Sequence, residues 1–229
     1  MKAAFFDVDG TLTKHRVWSG LLDYFREKRV HLFRYYFFSI LHYGLYGVYK
    51  LGLVSQVKFR STWAKNLAWL FSGFTVEQAA AIWDWVIDNR LVGQWRDDVL
   101  NILHQHKAEG DIVFLVSGGP VGLLERIAKE VGGDHAVGTK HEIIDGAYSG
   151  KSEGIACQGE NKAILVKEKI RQIGTSIVLE DSFAYADSIS DIQLLSLVGH
   201  PVAVYPDDGL RELALECGWR IYETNLPNE

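Results

Sequence analysis

The feature that most constrains this chain is a short apolar run, Ala3-Ala4-Phe5-Phe6, that stops at a carboxylate, Asp7, and continues as Val8-Asp9-Gly10-Thr11-Leu12. An unbroken apolar run of this length, without alternation, reads as a strand buried on both faces of a parallel sheet. It predicts Asp7 at the strand's C-terminal end and Asp9-Gly10-Thr11 as the turn that follows. That is the edge at which open parallel sheets bind ligands.

Two carboxylates so close together at a buried strand end repel each other, so a cation or a shared proton has to compensate them. An all-oxygen donor set suits a hard divalent cation, and Mg²⁺ is the expected one. Asp7 is placed to bind metal with one oxygen and attack phosphorus with the other, as carboxylate nucleophiles do when they form aspartyl-phosphates. Asp9 is placed to protonate a leaving alkoxide and then to activate water. Gly10 permits the sharp backbone path.

Past this turn the pattern changes. From about Ser19 to Asn89 the apolar spacing is helical, as in Val57, Trp63, Leu67 and Leu70 or Val76, Ala79, Ile82 and Val86. No strand is expected there. The alternating pattern resumes with a helix over Trp95–Glu109 and a buried strand over Ile112–Val116, ending in Ser117-Gly118-Gly119. It continues with a helix over Val121–Val131, a hairpin turning at Asp145-Gly146 and a helix over Asn161–Gln172. Strand-like runs at Ile177–Leu179 and Phe183–Ala186 and a strand over Pro201–Tyr205 follow. Strands alternating with helices predict an α/β fold with a doubly wound parallel sheet.

Three further elements carry polar groups to the same sheet edge. Ser117-Gly118-Gly119 offers a hydroxyl and backbone N–H groups before a helix, a pattern that binds anions. Lys162 sits near a helix start, where the dipole disfavours a cation, so it is expected to answer to a bound phosphate and Asp7. Asp187 ends a strand-like run and is placed to complete a magnesium shell. Asp191, four residues on, shares its face if a helix begins at Ser188 and is expected to hold a metal-bound water or orient Lys162.

Taken in order, these residues resemble the haloacid dehalogenase superfamily of phosphatases. They resemble more narrowly the subfamily that includes phosphoserine phosphatase, through Val116-Ser117-Gly118-Gly119, Gly159-Glu160-Asn161-Lys162 and Tyr185-Ala186-Asp187-Ser188. The resemblance implies a Rossmann-like core over residues 1–14 and 91–229, with an all-helical cap inserted over 15–90. It implies Asp7 as nucleophile and Asp9 as general acid/base. Mg²⁺ is implied on the Asp7 side chain, the Asp9 carbonyl and Asp187, phosphate on Ser117, Gly118 and Lys162, and Asp191 behind them.

Substrate contacts are expected from the cap, with Arg16, Arg60 and Lys65 as candidates beside His15, Arg34 and His42. The phosphoserine enzymes carry an acidic residue soon after the first motif, where this chain reads Lys14-His15-Arg16-Val17-Trp18. Asp9 argues against dehalogenation, because dehalogenases of the superfamily lack that second aspartate. The expected activity is Mg²⁺-dependent hydrolysis of a small phosphorylated metabolite. The alternatives are phosphate transfer through the same intermediate and hydrolysis of a lipid phosphate at a membrane.

The net charge of -5 gives no basic surplus for a nucleic-acid backbone, so no nucleic-acid partner is expected. Two cysteines make no metal pattern or disulfide framework. Asp7 and Asp9 interrupt the apolar start where a secretory segment would continue, so a cytoplasmic location is expected. Val30–Val54 is rich in aromatic and apolar residues. A spanning helix needs about 20 uninterrupted apolar residues, and Arg34, His42 and Lys50 interrupt this stretch. A hydrophobic cap wall and a helix lying on a membrane surface both stay open for it.

Overall fold

Residue alternation in the first strand sets the architecture. In β1 (Ala3–Asp7), Ala4 and Phe6 face one apolar cluster, while Ala3 and Phe5 face another. Both faces are therefore covered, as a central parallel strand requires. The computed structural model describes residues 1–224. Its seven-stranded sheet adds β2 (Ile112–Pro120), β3 (His135–Ile144), β4 (Ala147–Glu153), β5 (Phe183–Ala186), β6 (His200–Val204) and β7 (Arg220–Tyr222). The order is β4-β3-β2-β1-β5-β6-β7, parallel throughout except for the β3–β4 hairpin. This is the expected doubly wound α/β fold.

Helices close both faces. On the first face, α6 (Asp97–Ala108) and α7 (Val121–Val131) supply Val99, Leu103, Leu123 and Ile127. On the second, α8 (Glu160–Ile173), α9 (Ile192–Leu195) and α10 (Asp208–Cys217) supply Val166, Leu194, Leu195 and Leu210. Pairing of Asp7 with Val116 and of Phe6 with Tyr185 brings the C-terminal ends of β1 and β5 level with Val116 of β2, just before Ser117.

Between Asp9 and Asp97 the described elements are helical: α1 (Val17–Glu27), α2 (Leu32–Lys50), α3 (Gln56–Asn66), α4 (Ala68–Phe71), α5 (Val76–Val86) and a π-turn over Ile87–Leu91. Their aromatic side chains interlock. Phe38 lies 5.1 Å from Trp63 and 4.0 Å from the His42 ring, and Trp63 lies 4.9 Å from Trp18 between ring centroids. A row of backbone hydrogen bonds joins this segment to the hairpin: Gly73 N–H to the Tyr148 carbonyl, Tyr148 N–H to Phe74, and Val76 N–H to Gly146.

Two local expectations fail for physical reasons, and one element has no signal in the sequence. Ile177–Leu179 is not a strand. The chain donates one hydrogen bond there, from Val178 N–H to the Met1 carbonyl, and then tightens into a 3₁₀ turn over Leu179–Asp181. No α-helix begins at Ser188. Asp207 accepts from the Ile189 N–H and holds a 3₁₀ turn over Ile189–Asp191 instead. Strand β7 was not expected, and its three residues are too few to carry a pattern.

His141 of β3 packs beside Phe71, and burial pushes its pKa down from 6.5 to about 4. The unfolded chain therefore binds this proton first. Its effect on stability is absent above pH 6.5 and grows unfavourable as pH falls towards 4. His141→Leu should recover up to about 3 kcal/mol of the stability lost over that window. Urea unfolding at neutral pH and near the lower limit checks this, and an unchanged acid loss would contradict it.

Candidate active site

Lys162 is buried, and its ammonium lies 2.6 Å from Asp7 Oδ1 and 2.6 Å from Asp191 Oδ1. Helix α8 brings it there from behind the sheet edge, while β1 delivers Asp7. Burial opposes the charge on Lys162, but Asp191 and Asp7 outweigh it and raise its pKa. The second oxygen of Asp7 accepts from the Thr11 hydroxyl at 3.1 Å. Burial drives the Asp7 pKa well up, Lys162 pulls it back, and Asp191, Asp187 and Asp9 push it up again.

Asp9 faces the other way. Oδ1 accepts from the Val17 N–H at 2.5 Å, and Oδ2 accepts from the Ser117 hydroxyl at 2.8 Å. Burial raises its pKa more than these two donors lower it. The carbonyls on either side are engaged: Val8 accepts from Leu12 N–H and Thr13 N–H, and Gly10 from the Arg96 side chain at 3.1 Å. Among the described residues the Asp9 carbonyl accepts no hydrogen bond.

Asp187 follows β5 and has its pKa raised to about 6 by burial and by Asp191, with Lys162 lowering it. Gly10 explains how it approaches. At φ +98°, a Cβ there would fall 2.1 Å from Asp187 Oδ2, so glycine is needed for both conformation and space. Carboxylate oxygens of Asp7, Asp187 and Asp191 all lie within 4.8 Å of one another. Three carboxylates thus gather beside one buried ammonium, with Asp9 close enough to raise the Asp7 pKa further, and every donor is an oxygen. That excess of buried negative charge and that donor chemistry fit a hard divalent cation.

A cavity of about 590 Å³ opens over this cluster. Its floor holds Asp7, Asp9, Gly118, Lys162, Asp187 and Asp191. Ser117 does not line it; the hydroxyl is fully buried and spent on Asp9 and on the Gly119 N–H. Arg16 and Arg60 line the cavity, and Arg60 donates to the Ser190 hydroxyl at 2.9 Å across the gap from α3. Lys65 is exposed and lies outside the cavity. Neither His42 nor Arg34 reaches it: His42 Nδ1 meets the Phe38 carbonyl, and Arg34 donates to the Ser72 carbonyl. His15 is exposed.

Other residues escape a reading of the sequence. Gln158 packs so closely on Gly118 that a Cβ there would fall 1.7 Å from its Nε2. Asp207 caps α10 through the Leu210 N–H and accepts from Ser188 and Ile189, fixing the loop that carries Asp187. Neither has a motif of its own; a proline–aspartate pair after a strand, as at Pro206-Asp207, marks a helix cap and nothing more.

A family model described as haloacid dehalogenase-like hydrolase matches residues 4–196. The phosphoserine phosphatase SerB1 of Mycobacterium tuberculosis H37Rv is 33% identical over 228 residues, covering 98% of this chain and 71% of its own. A protein of unknown function from Bordetella pertussis Tohama I has a similar structure, with TM-score 0.81 at 25% identity over 97% of this chain and 98% of its own. A phosphoserine phosphatase carrying an analogue of its phospho-aspartyl intermediate gives TM-score 0.60 at 21% identity, over 92% and 90%, a likeness of fold.

Lys162→Met should strand Asp7 and Asp191 as unpaired buried charges and cost about 3–5 kcal/mol. Urea unfolding in EDTA measures it; a variant as stable as the parent would show that the ion pairs are not needed.

Proposed function

The chain belongs to the haloacid dehalogenase-like hydrolases and is a phosphatase of that family, and we propose that it hydrolyses small phosphomonoesters through a covalent phosphate ester on Asp7. The observation that carries this reading is the pair of roles open to two neighbouring aspartates. Asp7 is held by Lys162 and Thr11 with its oxygens at the cavity floor. Asp9 has a raised pKa and suits proton transfer.

In the first step Asp7 forms a bond to phosphorus as the ester P–O bond breaks, and protonated Asp9 gives its proton to the departing oxygen. In the second, water attacks phosphorus, its proton passes to Asp9, and Asp7 is released with inorganic phosphate. Lys162 and the backbone at Gly118 would hold the phosphoryl oxygens, and Ser117 would act by orienting Asp9. Mg²⁺ would be held by Asp7, Asp187 and the Asp9 carbonyl, with Asp191 behind; when bound it neutralises charge on the transferring group. Asp191 and Asp7 together position Lys162.

Residues 15–90 act in this reading as a cap that selects the substrate. Their side chains in the cavity are Trp18, Tyr43, Tyr46, Tyr49, Phe59 and Trp63 with Arg16, Lys50, Gln56 and Arg60, and no acidic residue. The phosphoserine phosphatase relatives act, by name, on an amino-acid ester. Nothing acidic on this side of the cavity would meet an ammonium group, so we assign the preference to esters with an aromatic or apolar leaving group.

Purified protein should hydrolyse p-nitrophenyl phosphate with Mg²⁺ and stop in EDTA. Asp7→Asn should fold and lose turnover by roughly a thousandfold or more. Activity within tenfold of the parent would overturn the mechanism. Phosphoserine should give a lower kcat/KM than the aryl ester; the reverse order would overturn the assigned preference.

A further inference from the structure

Charge is distributed unevenly along this chain. Residues 28–76 contain seven Lys and Arg and no Asp or Glu, while the other 180 residues contain 17 basic and 29 acidic. The acid-free stretch is built around α2, and α2 is apolar on two sides. One side, with Phe38 and His42, is buried against α3 and α4. The opposite side faces solvent: Phe33 is 83% exposed, Ile40 74% and Leu51 77%. These positions are seven and eleven residues apart, so they fall on one stripe of the helix and its C-terminal end. Phe37 adds to the stripe from within, and Gly44 and Gly47 leave it smooth.

An exposed apolar stripe of this extent marks a contact surface. Half of the large apolar side chains exposed among the described residues lie between Phe33 and Val57. The residues around it identify the partner. Lys28 and Arg29 precede the stripe, Lys50 ends its helix, and Lys58 lies on the next; all four are exposed. No acidic residue interrupts them. Apolar and aromatic side chains flanked by cations fit the boundary of an anionic phospholipid bilayer, where the rings enter the interface and the ammonium groups meet the headgroups. A second copy of the chain would press this basic rim against itself. Among the described residues no helix is long and apolar enough to cross a membrane, so the helix would lie on the surface.

We propose that α2 seats the protein on anionic phospholipid surfaces through Phe33, Ile40 and Leu51, with Lys28 and Arg29 on the headgroups. The surface adjoins the cavity: Tyr43 is both 71% exposed and part of its lining. A seated molecule therefore opens its cavity at the edge of the lipid contact. The proposal stands on the exposed face and its charge and does not need the site to be a phosphatase.

The test is flotation of the full chain with vesicles of phosphatidylcholine alone and of phosphatidylcholine and phosphatidylglycerol in equal parts. The protein should float with the anionic vesicles at low salt, stay behind with the neutral ones, and be released as salt screens the charges. Phe33→Ser/Ile40→Ser/Leu51→Ser should lose flotation at an unchanged thermal midpoint, because none of the three is buried. Lys28→Glu/Arg29→Glu should weaken it. Absence of flotation at low salt, equal flotation with neutral vesicles, or a triple variant that still floats would each overturn the proposal. Light scattering that finds a dimer which the triple variant dissociates would also overturn it, by giving the face to a second copy.

Discussion

The buried ammonium of Lys162, held between Asp7 and Asp191, is the interaction on which the rest of the site depends. Without it β1 would end in an uncompensated carboxylate inside the sheet edge, and such burial is costly. With it, the three carboxylates of Asp7, Asp187 and Asp191 sit together at a residual negative charge that one cation cannot cancel. The folded chain therefore holds a site that favours a further positive charge; burial first, and then the neighbouring carboxylates, raise the pKa values of Asp7 and Asp187. Around this core the small residues earn their places by permitting approach. Gly10 admits Asp187, and Gly118 admits Gln158.

Over this site stands a helical segment with a different physical character. The helices on the sheet close it with aliphatic residues, over sheet strands that hold stacked aromatic pairs of their own, whereas the segment is held largely by aromatic rings packed edge to face and stacked. It is stitched to the β3–β4 hairpin by main-chain hydrogen bonds at Gly73, Tyr148 and Val76. On the cavity side, by contrast, Arg60 reaches Ser190 through a single side-chain bond. One margin of the segment is thus fixed by backbone, and the other meets the core through side chains across a 590 Å³ space.

Much of this was legible in the sequence. Phe5 and Phe6 ending in Asp7 read as a buried parallel strand with a carboxylate at its C-terminal end, and the structure has that strand, covered on both faces. The helical spacing from Val57 to Val86 and the Asp145-Gly146 turn were local signals and appear in the structure. What the sequence did not reveal are contacts between distant segments. Ser117 reads as an anion-binding hydroxyl, but the approach of Asp9 from the turn after β1 captures it. Lys65 and Arg60 lie on one helix and look alike in sequence, yet only the latter faces the cavity. Gln158 and Asp207 act through three-dimensional proximity and leave no pattern. Ile177–Leu179 has strand composition and lacks a neighbour with which to pair over its length.

The central claim is that phosphate passes through Asp7. The most direct measurement is mass spectrometry of the acid-quenched Asp9→Asn protein after incubation with Mg²⁺ and an aryl phosphate: an aryloxide leaves with little need of a proton, so loss of Asp9 slows the second step more than the first and the phospho-enzyme accumulates. The account predicts one added phosphoryl group on the peptide that contains Asp7, absent when Asp7 is also replaced by Asn. A phosphoryl group on another residue, or continued turnover with the Asp7 peptide never modified, would contradict it.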